Sequence, residues 1–223
     1  MVYFCKIFCK KVSSMFSFLS PDSKFTAFLG RFADMVLLNI LFLITCLPVF
    51  TAGAASAALY TVCFRIFRNR ENGIVKAYFR AFGDNFRQGT ALWLLFLFVC
   101  VPGILYFDAF FHMDGLLRYL FAVCLLIVVL SVFVAAYGFP WISQFRNRTG
   151  EVLRNCLILS LTNLPQTLCL CAIHLLPLIL LAVKPDFFLK ISFLLVALYF
   201  SAAAYVSTAL LWKVFKPYYP EET

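Results

Sequence analysis

Met35–Phe64 reads MVLLNILFLITCLPVFTAGAASAALYTVCF, a stretch without a single charge. A single helix of that length would extend about 45 Å, against a bilayer hydrocarbon thickness of about 30 Å. Leu47-Pro48 and Gly53 fall in its middle, where proline removes a helical hydrogen bond and glycine loosens the backbone. The stretch therefore predicts a turn near Pro48, with two short helices or a span followed by a re-entrant helix. Further uncharged runs extend from Gln88 to Phe107, Tyr119 to Phe145, Asn155 to Val183 and Ile191 to Trp212. Each approaches or exceeds the roughly 20 residues that cross a bilayer. With 64% hydrophobic residues, 13% charged and a mean hydropathy of +0.94, the chain carries more apolar surface than a soluble domain can cover. Helices are the expected spanning element, because backbone amides in hydrocarbon must pair within their own segment.

Charge placement orients the runs, since Lys and Arg collect on the cytoplasmic side. With a turn at Pro48, 16 of the 19 basic residues fall inside, leaving only Arg118, Lys184 and Lys190 outside. Treating Met35–Phe64 as one span divides them 11 against 8. The expectation is an all-α polytopic membrane bundle of six short spans, arranged as three in-out-in hairpins, with five spans as the alternative. Both termini are then cytoplasmic and the protein is a multi-pass cell-membrane protein. The inner face sums to +9, suited to anionic lipid head groups, whereas positive-inside topology already accounts for the charge without nucleic acid.

Phe67-Arg68-Asn69-Arg70 recurs as Phe145-Arg146-Asn147-Arg148. The same offset in numbering aligns Asn85 with Asn163, Gln88 with Gln166 and Asp108 with Asp186. A weaker third echo is Trp212-Lys213-Val214-Phe215-Lys216, which resembles Phe64-Arg65-Ile66-Phe67-Arg68. These coincidences suggest an internal repeat spanning about 41–110 and 119–188, a parallel duplication of helical hairpins. The bland alternative is that aromatic and basic residues recur at membrane interfaces. Pro48, Pro102 and Pro177 each lie toward the far end of an outward-going run, where prolines bend helices.

Residues 1–20 read as an amphipathic helix on the membrane surface, with Lys6, Lys10, Ser13, Ser14 and Ser17 opposite Phe4, Phe8, Val12 and Phe16. No cleavable signal pattern follows the lysines, so the first span is expected to act as its own insertion signal. Residues 21–223 form one transmembrane domain. Glu71–Gln88 mixes apolar and basic residues and reads as a second interfacial helix leading into the third span. Val152–Leu161 holds the matching place in the second unit.

Chemistry-bearing residues are sparse. His174 is the single imidazole expected at membrane depth and has no carboxylate at that depth to relay its proton. With Asn39 it reads as an interhelical hydrogen-bonding group. Arg31 and Asp34 stand three apart at the inner boundary and are spaced to pair. The nine cysteines lack a C-x-x-C pairing and read as packing thiols, and no metal-ligand set or cofactor motif is present. Paired carboxylates, Gly-rich phosphate loops and nucleophile-base sets are likewise missing, so the chain is not expected to be an enzyme. The strongest candidate surface is the basic, aromatic-rich loop of Arg65, Arg68, Arg70, Lys76, Arg80 and Arg87 with its echo Arg146, Arg148 and Arg154. Such a mixture suits anionic lipid or an acidic partner surface, or serves as a membrane-anchoring collar.

Arg31–Trp93 resembles the YesL-like family of bacterial membrane proteins, whose function is unknown. The likeness rests on Arg31-Phe32-Ala33-Asp34, on Leu47-Pro48 followed by Thr51-Ala52-Gly53-Ala54, and on Phe79-Arg80-Ala81-Phe82 running to Asn85-Phe86. It implies a Gram-positive setting, often beside carbohydrate uptake and two-component systems, and carries no catalytic or binding residues across. Two roles follow as expectations. One is an accessory or regulatory subunit of a membrane transport or sensor protein. The other is a small transporter or lipid-handling protein with a cavity between hairpins.

Overall fold

The computed structural model describes residues 24–69, 73–105, 116–184, 186, 190 and 198–219. All regular elements described are helical: α1 (Lys24–Cys46), α2 (Ala52–Phe67), α3 (Ile74–Leu105), α4 (Leu116–Gln144), α5 (Thr149–Thr162), α6 (Leu164–Val183) and α7 (Phe200–Phe215). Short 3-10 turns occupy Val49–Thr51 and Lys216–Tyr218. The surface helix expected over residues 1–20 lies outside the described residues.

Met35–Phe64 divides as its proline requires. α1 ends at Cys46, and Pro48 adopts an extended backbone (φ −76°, ψ 106°) before the 3-10 turn. The Thr51 N–H donates to Pro48 O at 2.8 Å, and its hydroxyl reaches the Thr45 and Pro48 carbonyls. The Trp93 indole N–H donates to Val49 O at 2.8 Å, fastening the turn to α3. Arg31, near the start of α1, donates to Asn69 Oδ1 just past the end of α2, so the two helices run antiparallel.

α2 occupies the centre. Two thirds of its span is buried, against about a fifth or less of the spans in α1, α3 and α4. Its sequence AGAASAALY supplies strong helix formers whose small side chains let neighbours approach. At the crossing with α3, a Cβ on Gly53 would collide with Gly89 O, and one on Gly89 would lie 2.8 Å from the Ala54 backbone. Only two glycines permit this contact. α2 ends where Asn69 takes the left-handed conformation (φ 52°), a helix-stop geometry asparagine tolerates.

Outward faces of α1, α3, α4 and α6 expose Ile40, Ile44, Leu94, Phe98, Leu126 and Ile179, an apolar surface suited to lipid. Polar groups inside the bundle join helices. Asn39 Oδ1 accepts from the Ser201 N–H at 3.1 Å, Thr45 and Tyr78 share a 2.6 Å hydroxyl contact, and the Tyr60 hydroxyl meets His174 Nε2 at 3.0 Å.

Four helical stretches are long and apolar enough to cross a bilayer: Leu29–Cys46, Val49–Phe67, Ile74–Gly103 and Phe121–Gln144. The pair α5–α6, bent by 104°, makes a fifth if taken as one span. Of the run Ile191–Trp212 the part described from Phe200 onward belongs to α7, and a sixth span is not reached among the described residues. The protein is thus an all-helical, multi-span membrane bundle.

One expectation changes in kind. Glu71–Gln88 does not form a separate surface helix, because from Ile74 it continues without a break into the long α3, which runs to Leu105. No proline precedes Pro102 in that helix, and Gly83 meets no neighbour that would force a bend. α5, by contrast, is a distinct element set across the start of α6.

Candidate functional site: the basic end of the bundle

The ends of α2, α4 and α7 converge on one aromatic cluster, bringing together the three aromatic-basic echoes of the sequence. Phe64 stacks on Phe215 with centroids 6.0 Å apart, and Phe67 lies 6.0 Å from Trp212. Trp141 packs against Phe145 at 4.4 Å and edge-on to Phe215 at 5.3 Å. Tyr219, just beyond α7, contacts Phe145 and Trp212, each at 5.2 Å. Such tilted and edge-on arrangements suit ring quadrupoles and contribute about 0.5–1.5 kcal/mol per pair beyond area burial.

Arg68 belongs to this cluster. Its guanidinium carbon lies 5.2 Å from the Trp212 ring centroid and 5.0 Å from that of Tyr219, a cation-π placement shared between two rings. Burial pushes the Tyr219 phenol above its ordinary pKa, partly opposed by the Arg68 charge. The protonated phenol donates to Gln144 Oε1 at 2.9 Å.

The loop joining α4 to α5 is cross-braced. Gln88 Nε2 donates to Asn147 O at 2.8 Å, and the Trp141 indole donates to Asn147 Oδ1 at 3.3 Å. Glu151 accepts from the Arg148 N–H at 3.3 Å and from Asn147 Nδ2 at 3.4 Å. Glu151 also sits in the first turn of α5, where negative charge complements the helix dipole.

Beside this loop a polar cavity of about 160 Å³ is lined by Thr61, Arg65, Arg80, Asp84, Asn85 and Arg146, among others. Arg146 approaches Asp84 at 4.0 Å, with both side chains mostly exposed, so the pair contributes little to stability. Three guanidinium groups around one carboxylate leave net positive charge, and nothing at this pocket forms a nucleophile-base pair.

The nine basic residues singled out by sequence thus divide. Arg65, Arg80 and Arg146 share the pocket, and Arg68 is held between rings. Lys76, Arg87 and Arg148 stand exposed elsewhere on the same end, and Arg154 lines a different cleft. Arg70 lies outside the described residues. Arg31 turns to Asn69 rather than Asp34, and no ion pair joins Arg31 to Asp34 among the described residues. His174 lies with Tyr60, Ser56, Trp93 and Cys171 on a second cavity of about 290 Å³. Among the described residues no three His, Cys, Asp or Glu side chains gather to hold a metal ion.

Tyr219 and Gln144 escaped the sequence reading. The one signal for Tyr219 was its place after Lys216-Pro217, where the chain must leave its helix yet stays rich in aromatics.

This fold and its basic end define a class: a polytopic helical membrane protein with a built cationic end. Residues 35–109, about a third of the chain, match the family described as "Protein of unknown function, DUF624", the family to which the resemblance of Arg31–Trp93 points. No curated protein and no solved structure matches the chain.

Proposed function

We propose that this is a non-catalytic accessory or regulatory membrane subunit whose basic end docks on a transport or sensor protein. The carrying observation is that the end of the bundle where α2, α4 and α7 converge on one aromatic cluster also gathers Arg65, Arg80 and Arg146 around a shared polar pocket. Rigid aromatic anchors beside arginines are the composition that concentrates binding energy at protein interfaces. An acidic segment of a partner, entering among the three guanidinium groups, would form charge-assisted hydrogen bonds. The resemblance supplies the context, carbohydrate uptake or sensing. Most of α2 is buried against its neighbours, which favours docking over passage of a cargo.

The same reading takes the chain as six spans in three hairpins, with both termini and the basic end cytoplasmic. Placing 16 of 19 basic residues inside supports that orientation. Repetition supports the hairpins: one offset relates Phe67-Arg68-Asn69-Arg70 to Phe145-Arg146-Asn147-Arg148, Asn85 to Asn163 and Gln88 to Gln166.

Affinity purification from native membranes in mild detergent tests the docking role. Arg65, Arg80 and Arg146 replaced together by Gln should release a co-purifying partner while membrane abundance stays unchanged. An undiminished partner with the triple variant, or none with the unmodified protein, would overturn the reading. Cysteine labelling at Val49, exposed in the Pro48 turn, and at Thr223 tests orientation, with position 49 expected to react only from outside and position 223 only from the cytoplasm.

A further inference from the structure

A further, apolar cleft lies away from the arginine pocket. It has a volume of about 450 Å³, within the roughly 300–1,000 Å³ of small-molecule sites, and is walled by α3, α4 and α5. Leu95, Phe96, Ile127, Val134 and Leu157 contribute a lining that is almost wholly apolar. Ser131, a polar exception, commits its hydroxyl to Val128 O at 2.7 Å and to Cys100 at 3.3 Å, so it asks nothing of an occupant. The remaining exception is Arg154 on α5, the single charged lining residue. Among the described residues Arg154 has no acidic partner.

An occupant of this cleft must be apolar over most of its length and negative at one end. Membrane lipid is the surrounding solvent, and an acyl chain satisfies the first condition without giving up favourable contacts elsewhere. The second favours a lipid of net negative charge: phosphatidylcholine offers the guanidinium the same phosphate, but its quaternary ammonium stays close by and opposes the arginine charge, whereas a phosphatidylglycerol head group adds no cation. The long Arg stem can also lie along the apolar wall while its head stays at the interface.

We propose that the α3–α4–α5 cleft is a specific site for one anionic phospholipid, its acyl chain between α3 and α4 and its phosphate on Arg154. α5 is essential to the site, since it brings the positive charge and closes the cleft on its third side. The site is independent of the docking role, because it shares no lining residue with the Arg65–Arg80–Arg146 pocket.

The test is native mass spectrometry of the full-length protein released from nanodiscs of phosphatidylcholine doped with phosphatidylglycerol. The unmodified protein should retain one phosphatidylglycerol in preference to phosphatidylcholine. Arg154→Gln should lower that retention about tenfold, the loss of one charge-assisted contact, without altering thermal stability in detergent. Gly138→Leu attacks the apolar wall instead. Gly138 lines the cleft and a Cβ there meets no atom within 4 Å, so a side chain can start from this position, and an unchanged unfolding midpoint is required of the variant. It should reduce retention of both lipids. Equal retention of the two lipids by the unmodified protein, or unchanged retention in either variant, would overturn the proposal. A photoreactive group at Leu157 should cross-link to lipid, whereas a cross-link to another polypeptide would assign the cleft to a partner helix and overturn it too.

Discussion

Ile74–Leu105 and Thr149–Val183 each carry an asparagine, Asn85 and Asn163, at the offset that relates Phe67-Arg68-Asn69-Arg70 to Phe145-Arg146-Asn147-Arg148. Asn85 Nδ2 donates to Ala81 O at 2.9 Å, and Asn163 Nδ2 donates to Leu159 O at 3.1 Å, each reaching back one helical turn. Yet the first stretch is one helix, and the second turns through 104° at Asn163. Two aligned positions explain the difference. Arg87 stands where the second stretch has Pro165, which has no amide to donate to the Leu161 carbonyl and whose ring crowds that carbonyl in a continuous helix, yet is tolerated in the first turn of a new one. Asn163 accordingly leaves the helical region (φ −116°, ψ 50°). Gly89 stands where the second stretch has Thr167. In α3 the glycine admits the α2 backbone, whereas the Thr167 hydroxyl lies 2.8 Å from Ser160 O, 3.0 Å from Asn163 O and 3.2 Å from the Tyr137 hydroxyl. A straight helix needed a glycine for its neighbour, and a bent one needed a hydroxyl for its loosened carbonyls.

The largest effect should come from forcing the second solution on the first stretch. Arg87→Pro inserts the breaker into α3 without a threonine to bind the freed carbonyls, at a cost of about 3 kcal/mol or more. Thermal unfolding in detergent should show a large fall in midpoint, and an unchanged midpoint would mean that α3 carries a latent bend. Next comes Gly89→Val, which drives a side chain into the Ala54 backbone and should cost about 1–3 kcal/mol by overpacking, read in the same assay. Gly83→Ala serves as its control, because a Cβ there meets nothing within 4 Å and should leave the midpoint unchanged or slightly raised.

Much of this was legible in the chain. Pro48 announced the turn between α1 and α2, and the place of Val152–Leu161 as a separate element followed from its match to Glu71–Gln88. That match itself misled, because charge pattern reports depth in the membrane and not helical continuity. Continuity in α3 depends on the lack of a breaker at position 87, a single-residue property that hydropathy averages away. Arg68 likewise read as part of an open basic surface. Its ring partners, Trp212 and Tyr219, come from the far end of the chain, and nothing local to Phe67-Arg68-Asn69 encodes them. Arg154 was grouped with the other basic residues because spacing cannot show that α5 turns it toward α3 and α4.

A smaller effect on stability, though a larger one on shape, should follow from the bend itself. Pro165→Ala restores an amide that can donate to the carbonyl one turn back, yet the Thr167 hydroxyl still braces the bent form against Tyr137. The single variant should therefore keep the angle and shift the unfolding midpoint little. Thr167→Val alone removes the brace and should cost about 1–3 kcal/mol, since buried carbonyls lose their donor while the proline still prevents a helical repair. Combined, the two substitutions allow α5 and α6 to join as one helix. Spin labels at Glu151 and Leu176, both exposed, should then move apart, and a distance unchanged in the double variant would show that contacts of α5 with α4 set the bend instead. Because α5 supplies the third wall of the apolar cleft, straightening should also withdraw Arg154 from it. Phosphatidylglycerol retention should fall in the double variant although Arg154 is intact, which separates the position of that charge from its mere presence.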